Sequence, residues 1–215
     1  MLDTTRNIAL ASALSALAGY IDGVGFLHLG GLFVSFMSGN TTRLGVTIAE
    51  HDWFKALEAI GLIALFVAGA SIGTMLGRGR GIHRQWVVLL AETLLLGVAA
   101  ACYHLQLLEV SIAAIVLAMG LENAVFQADG GAPGLGLTYM TGTLVRVGQL
   151  MAGALTGGPR WAWVPNLLLW SGMAIGALLG ALAYQRFNLA SVWFAAAATL
   201  LMCVATAIPA RRARH

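Results

Sequence analysis

Two arginines stand inside an otherwise apolar chain, each at the end of a short run of glycine and hydroxyl residues. Residues 36–45 read Phe-Met-Ser-Gly-Asn-Thr-Thr-Arg-Leu-Gly, and residues 139–148 read Tyr-Met-Thr-Gly-Thr-Leu-Val-Arg-Val-Gly. Met37, Gly39, Arg43 and Gly45 recur 103 positions later as Met140, Gly142, Arg146 and Gly148, and Ser38 becomes Thr141. Glycine tolerates the dihedrals that interrupt a helix, and Ser, Asn and Thr oxygens can cap the half-helix that follows. The free N–H groups at such a helix start carry partial positive charge. An arginine on the first turn adds to it. The pattern suits an anion or a polar, hydrogen-bonding solute. Ser38, Gly39, Asn40, Thr41 and Arg43 in the first copy, with Thr141, Gly142, Thr143 and Arg146 in the second, are the expected solute-binding residues.

Composition sets the elements that must position them. Of 215 residues, 59% are hydrophobic and 10% charged, with a mean hydropathy of +0.83. A soluble domain carries about 25% charged residues. So little charge cannot wet a soluble fold, and the lipid bilayer is the expected solvent. A helix needs about 20 apolar residues to cross hydrocarbon. Eight apolar segments are visible, at 7–27, 32–49, 56–77, 86–103, 110–128, 137–155, 163–184 and 190–208. The first reads as a retained helix rather than a signal peptide, because its flank is weakly basic and more spans follow. Trp53, Trp86, Trp161, Trp163 and Trp193 fall near segment ends, as an aromatic belt requires.

Other chemistries find little support. The net charge of +3 matches an excess of cytoplasmic arginine, and no nucleic-acid partner is expected. Cys102 and Cys203 lie in apolar runs, and His28, His51, His83, His104 and His215 share no ligand spacing. Neither a zinc-protease nor a Ser-His-Asp pattern is visible. The Gly/Pro-rich stretch 129–136 is followed by no lysine, so it makes a weak phosphate loop. No enzyme, cofactor or metal is expected.

The recurrence extends beyond the arginines. Gly69, Gly73 and Gly77 return as Gly172, Gly176 and Gly180 at the same offset. Such small-xxx-small ladders let another backbone approach closely, within the chain or across a homodimer. The chain thus divides into two membrane repeats, 1–104 and 105–215. If all eight segments cross, the basic residues split four against six, with no bias. If both motif segments dip in and return, Arg6, Arg78, Arg80, Arg84, Arg160, Arg211, Arg212 and Arg214 share one side, against Lys55 and Arg186. Positive loops stay cytoplasmic. If only the first motif crosses, the split is seven against three, which charge alone does not reject; similar halves should nonetheless fold alike. Three crossings per half invert the second half relative to the first, the plan of transporters whose broken helices meet near the midplane.

Three acids accompany the arginines. Asp22 and Glu122 either carry protons or sit wet near the interface, and both readings stay open. Glu92 is expected to pair with Arg84 near the basic loop. All three acids could instead neutralise Arg43 and Arg146 in a structural network. Asn123 and Gln127, four apart on one helical face, suit solute contact or helix–helix bonding.

The run from Gly19 to Gly45, with Gly-Tyr-Ile-Asp-Gly and Met-Ser-Gly-Asn-Thr-Thr-Arg, resembles the YoaK-like family of bacterial integral membrane proteins. That resemblance implies a bacterial inner-membrane location and highlights Asp22, Gly39, Asn40 and Thr41. It implies no substrate. In the second half, Thr143 replaces Asn40 and Asn123 replaces Asp22.

The expectation is an all-α polytopic membrane protein of two inverted repeats, with about six crossings and two re-entrant motif segments. Both termini would be cytoplasmic. A small polar or anionic solute would bind between the two breaks and be transported. The alternatives are a membrane scaffold that binds another protein through its glycine faces, and a small-solute channel.

Overall fold

The computed structural model describes residues 5–127 and 139–212. The 129–136 stretch and residues 213–215 therefore lie outside the described residues. Among those described, all regular structure is helical: α1 (Thr5–His28), α2 (Met37–Ala49), α3 (Trp53–Gly77), α4 (Arg84–His104), α5 (Leu108–Glu122), α6 (Met140–Leu155), α7 (Val164–Phe187) and α8 (Val192–Arg212). Short 3₁₀ turns at Gly81–His83 and Asn188–Ser191 lead into α4 and α8. Four segments are long and apolar enough to cross a membrane: Arg6–His28, Trp53–Gly77, Arg84–His104 and Val164–Ile208, the last holding α7 and α8. Leu57, Val67, Leu94, Leu178 and Leu201 are exposed. Water would penalise such a surface, whereas lipid tails do not.

The glycine ladders join the two halves. A Cβ added at Gly69 or Gly73 of α3 would strike the backbone of Leu117 or Leu121 on α5. At Gly172, Gly176 or Gly180 of α7 it would strike the backbone of Ser12, Ala16 or Tyr20 on α1. Each ladder is thus covered by the first helix of the other half. Without side chains between them, the helices gain close dispersion contact along their length. The faces that could have served a homodimer or scaffold are occupied within the chain.

These contacts also fix helix direction. Ascending residues meet ascending residues in both pairs, so α3 runs parallel to α5 and α1 parallel to α7. The Tyr20 hydroxyl donates to the Ser191 carbonyl at 3.0 Å. A groove lined by Ala13, Tyr20, Phe194 and Met202 keeps the rest of α8 beside α1, so α8 folds back antiparallel to it. Cys203 Sγ meets the Trp86 carbonyl at 3.3 Å, while Trp193 Nε1 donates to His104 Nε2 at 3.3 Å. α4 and α8 are therefore antiparallel, which makes α4 parallel to α1. Because α3 and α4 are joined by a tight turn, α1 and α3 run in opposite directions. α2 joins them in the chain.

α2 is too short to span. Its 13 residues rise ~20 Å, against about 30 Å of hydrocarbon. The break falls earlier than the motif suggests. Residues 29–36 are non-helical, and Ser38, Gly39 and Asn40 already lie in the first turn of α2. The residues that need unusual dihedrals are Gly30 (φ 61°) and Gly31 (φ 105°). α5 is also shorter than expected. It ends at Glu122, and 3₁₀-type bonds from Asn123, Ala124 and Val125 to residues three earlier tighten the chain beyond it. It is nonetheless the most enclosed helix, buried from Ala114 to Glu122 except Leu117. Such a helix is apolar all round because protein covers it on several sides.

Candidate functional site

The first break is held by Asn40, expected as a solute ligand, and by Asp22, expected as a proton carrier or charge partner. Asp22, 4% exposed on α1, accepts from the Val34 N–H at 2.9 Å, the Ser35 N–H at 2.7 Å and the Ser35 hydroxyl at 2.6 Å. Asn40 is fully buried. Its Oδ1 accepts from the Phe33 N–H at 2.8 Å, and its Nδ2 donates to the Phe33 carbonyl at 2.7 Å. Non-helical backbone at membrane depth needs such partners. Asp22 and Asn40 are therefore spent on the main chain of the break. Asn40 does not cap α2, whose N-cap is Phe36 without a side-chain bond. Gly39 serves packing: a Cβ there would meet the rings of Phe33 and Phe36.

The remaining polar groups of this copy face outward or into a cavity. Ser38 and Thr41 are exposed, and the Thr41 hydroxyl donates to the Met37 carbonyl at 2.9 Å. Arg43 lies on the second turn of α2, one turn later than expected. Its guanidinium donates to the Gly30 carbonyl at 3.3 Å, while its buried Nε has no hydrogen-bond partner. It borders an open cavity of about 620 Å³ lined also by Phe26, Gly30, Gly31, Phe33 and Thr42. The lining is mostly apolar, so Arg43 is its charge. Among the described residues Arg43 has no carboxylate partner, and the expected neutralising network with the acids does not form around it.

The second copy is built differently. Thr141, Gly142 and Arg146 are exposed on α6, and Thr143 is half-buried. The Thr143 hydroxyl donates to the Tyr139 carbonyl, and Arg146 reaches Gln149 Oε1 at 3.5 Å. Met140 is buried beside the Ser15 hydroxyl. α2 packs on α3 and α6 on α7; the two motif helices do not pack on each other. Arg43 and Arg146 are therefore not brought together by packing of α2 on α6. The equivalence of Asp22 and Asn123 also shifts. Ser12 and Leu117, like Ala16 and Leu121, hold matching places 105 residues apart. That register puts Gln127 opposite Asp22. The Gln127 carbonyl accepts from Arg84, while Asn123 donates to the Met119 carbonyl at 3.0 Å.

The acids lie deeper than expected. Glu92 and Glu122 are fully buried, and none of their carboxyl oxygens has a hydrogen-bond partner. Glu92 does not sit at the interface. Arg84 instead gives its Nε to the Gly77 carbonyl at 3.1 Å. Glu122 acts electrostatically on Glu92, and Asp22 on Glu122. That Glu92 and Glu122 are both fully buried on the packed helices α4 and α5, within electrostatic range of each other, was missed from sequence. A signal existed: the two lie at similar counts from the turn at 105–107, so an α4–α5 hairpin brings them level.

A chain whose described regular structure is all helical, with apolar, lipid-facing helices and interlocked glycine faces, is a polytopic α-helical membrane protein. The chain belongs to the DUF1275 family of proteins of unknown function, whose model matches residues 10–205. It is 36% identical over 201 residues to the UPF0700 transmembrane protein RA0705 of Rhizobium meliloti (strain 1021), covering 93% of this chain and 85% of that protein. It is 27% identical over 158 residues to the UPF0700 transmembrane protein YoaK of Bacillus subtilis (strain 168), covering 70% and 69% of the two chains. This bears out the resemblance read from residues 19–45. No solved structure matches the chain.

Proposed function

We propose that this protein is a non-enzymatic transporter of a small polar or anionic solute in a bacterial inner membrane. The observation that carries the reading is Arg43, which lines a cavity of about 620 Å³ beside the broken backbone at Gly30 and Gly31 and whose buried Nε has no hydrogen-bond partner. An intramembrane cation without a carboxylate partner is costly to keep unless it meets a ligand. In this reading the solute enters at the first break, where Arg43 supplies the positive potential and Thr42 a hydroxyl. Arg146, Thr141 and Thr143 form the matching surface of the second half.

The reading includes two inverted repeats, 1–104 and 105–215, with six crossings and two re-entrant segments. Support comes from helix direction: α1 and α3 are antiparallel, as are α5 and α7, and α5 opposes α1. The basic loop 78–84, the loop before α7 and both termini then share the cytoplasmic side, as arginine placement favours.

The test is solute flux into lipid vesicles holding the purified protein, across a panel of small anions and neutral polar solutes. Saturable uptake of at least one solute is expected, weakened in Arg43→Ala and partly kept in Arg43→Lys. Uptake indistinguishable from protein-free vesicles for every solute would overturn the reading. Flux that never saturates would favour a channel.

A further inference from the structure

Glu92 and Glu122 carry the one set of buried charges on α4 and α5 for which the structure provides no partner. α4 and α5 form a hairpin about the turn at 105–107. At 1.5 Å per residue, Glu92 lies ~18 Å and Glu122 ~21 Å from that turn, so both sit near mid-depth. Around them Leu89, Leu96, Ile115, Met119 and Leu121 are at most 1% exposed. Nearby hydroxyls are committed: Ser111 to the Ala99 carbonyl, Thr93 to Leu89 and Thr199 to Ala195.

No cation answers the pair. Arg84, on the same helix, turns to the Gly77 and Gln127 carbonyls. Lys55, Arg78, Arg80, Arg160 and Arg186 are exposed at helix ends. The titratable group of α1 within electrostatic range of Glu122 is Asp22. α3 presents glycines to α5, and its Lys55 and Glu58 are exposed near the opposite end. α8 contributes Cys203, which is bonded to the Trp86 carbonyl. Two bare carboxylates fully buried in apolar surroundings, with no hydrogen-bond donor among the described residues, would each cost several kcal/mol. A metal cation would need several oxygen ligands, and no three His, Cys, Asp or Glu side chains converge among the described residues. A proton needs only one oxygen.

We propose that Glu92 and Glu122 form a reversible proton-binding site in the centre of the helix bundle. Each uptake transfers one proton from water to a carboxylate oxygen and cancels one negative charge; each release returns it to water. Asp22, which holds Val34 and Ser35 of the first break, lies within electrostatic range of Glu122. The proposal stands apart from the transport reading, because it requires proton binding and no solute.

The experiment uses dicyclohexylcarbodiimide, an apolar reagent that attaches to protonated carboxyls in apolar surroundings. Full-length protein in phosphatidylcholine–phosphatidylglycerol vesicles is treated across a pH series, and the modified residue is located by peptide mass spectrometry. Modification at Glu92 or Glu122 is expected, suppressed at alkaline pH, recovered on return to acid, and lost in the Glu92→Gln, Glu122→Gln double variant. Gln has the shape of the protonated acid, so the double variant should keep its fold, checked by circular dichroism; if it unfolds, the wild-type pH series decides. Absence of modification at both residues in the folded protein, while the unfolded chain reacts, would overturn the proposal. Protection by sodium at constant pH would also overturn it, as the site would then hold a metal cation.

Discussion

Asp22 holds Ser35 through both carboxyl oxygens: Oδ1 accepts the Ser35 N–H at 2.7 Å and Oδ2 the Ser35 hydroxyl at 2.6 Å. One side chain on a long helix thereby pins an extended segment that has no helix to satisfy it. The break at 29–36 persists because Asp22 from one side and Asn40 from the other provide the partners that water cannot.

Replacing Asp22 removes those partners. Asp22→Ala leaves the Val34 and Ser35 donors buried and unpaired, and should lower unfolding stability in detergent by about 2–4 kcal/mol. Asp22→Asn retains one acceptor and should fall between wild type and Ala. Equal stability of all three proteins would contradict the role of Asp22 in holding the break.

The glycines divide into two kinds. Gly176→Ala drives a Cβ into the Ala16 carbonyl and should cost about 1–3 kcal/mol, with α1 and α7 forced apart. Gly148→Ala meets nothing within 4 Å and should stabilise α6 by about 0.5–1 kcal/mol, since alanine has less backbone entropy to lose. Thermal unfolding of the two variants side by side checks the contrast.

Helix direction predicts labelling. With Cys102 and Cys203 replaced, cysteines at Arg80 and Pro159 should react with an impermeant reagent from one side of the membrane. Cysteines at Glu50 and Leu105 should react from the other. Should Pro159 instead react from the side of Glu50 and Leu105, α6 adds a crossing and the re-entrant arrangement fails.

Asp52 gives a pH effect at the mouth of α3. Its carboxylate accepts the Lys55 N–H at 3.2 Å and pairs with the Lys55 ammonium at 3.2 Å. The backbone bond first, then the side chain of Lys55, hold it below the usual carboxylate range. The folded helix start therefore favours the charged form. Its contribution is present above the unfolded value of about 3.9 and is lost as pH falls through the lower folded value. Amide exchange in the first turn of α3 should speed up at acid pH in the wild type, after correction for intrinsic rates. In Asp52→Asn it should show no such change.

Much of the architecture is written in one dimension. Hydropathy marks helices because each helix satisfies its own backbone bonds, whatever its neighbours. The ladders Gly69–Gly73–Gly77 and Gly172–Gly176–Gly180 announce close helix contact because a missing Cβ is a local property. The recurring arginines and the placement of basic loops are likewise linear patterns. What the sequence by itself determined is thus an all-α membrane protein with two related halves and polar interruptions. The tertiary structure alone decided that the break precedes Ser38, and that Asp22 and Asn40 serve the backbone. It also decided that Arg43 and Arg146 stand on helices that do not pack on each other, and that Glu92 is buried without a hydrogen-bond partner while Arg84 turns to backbone carbonyls. The physical reason is that partners across helices depend on direction, rotation and depth, which are set by how whole faces pack.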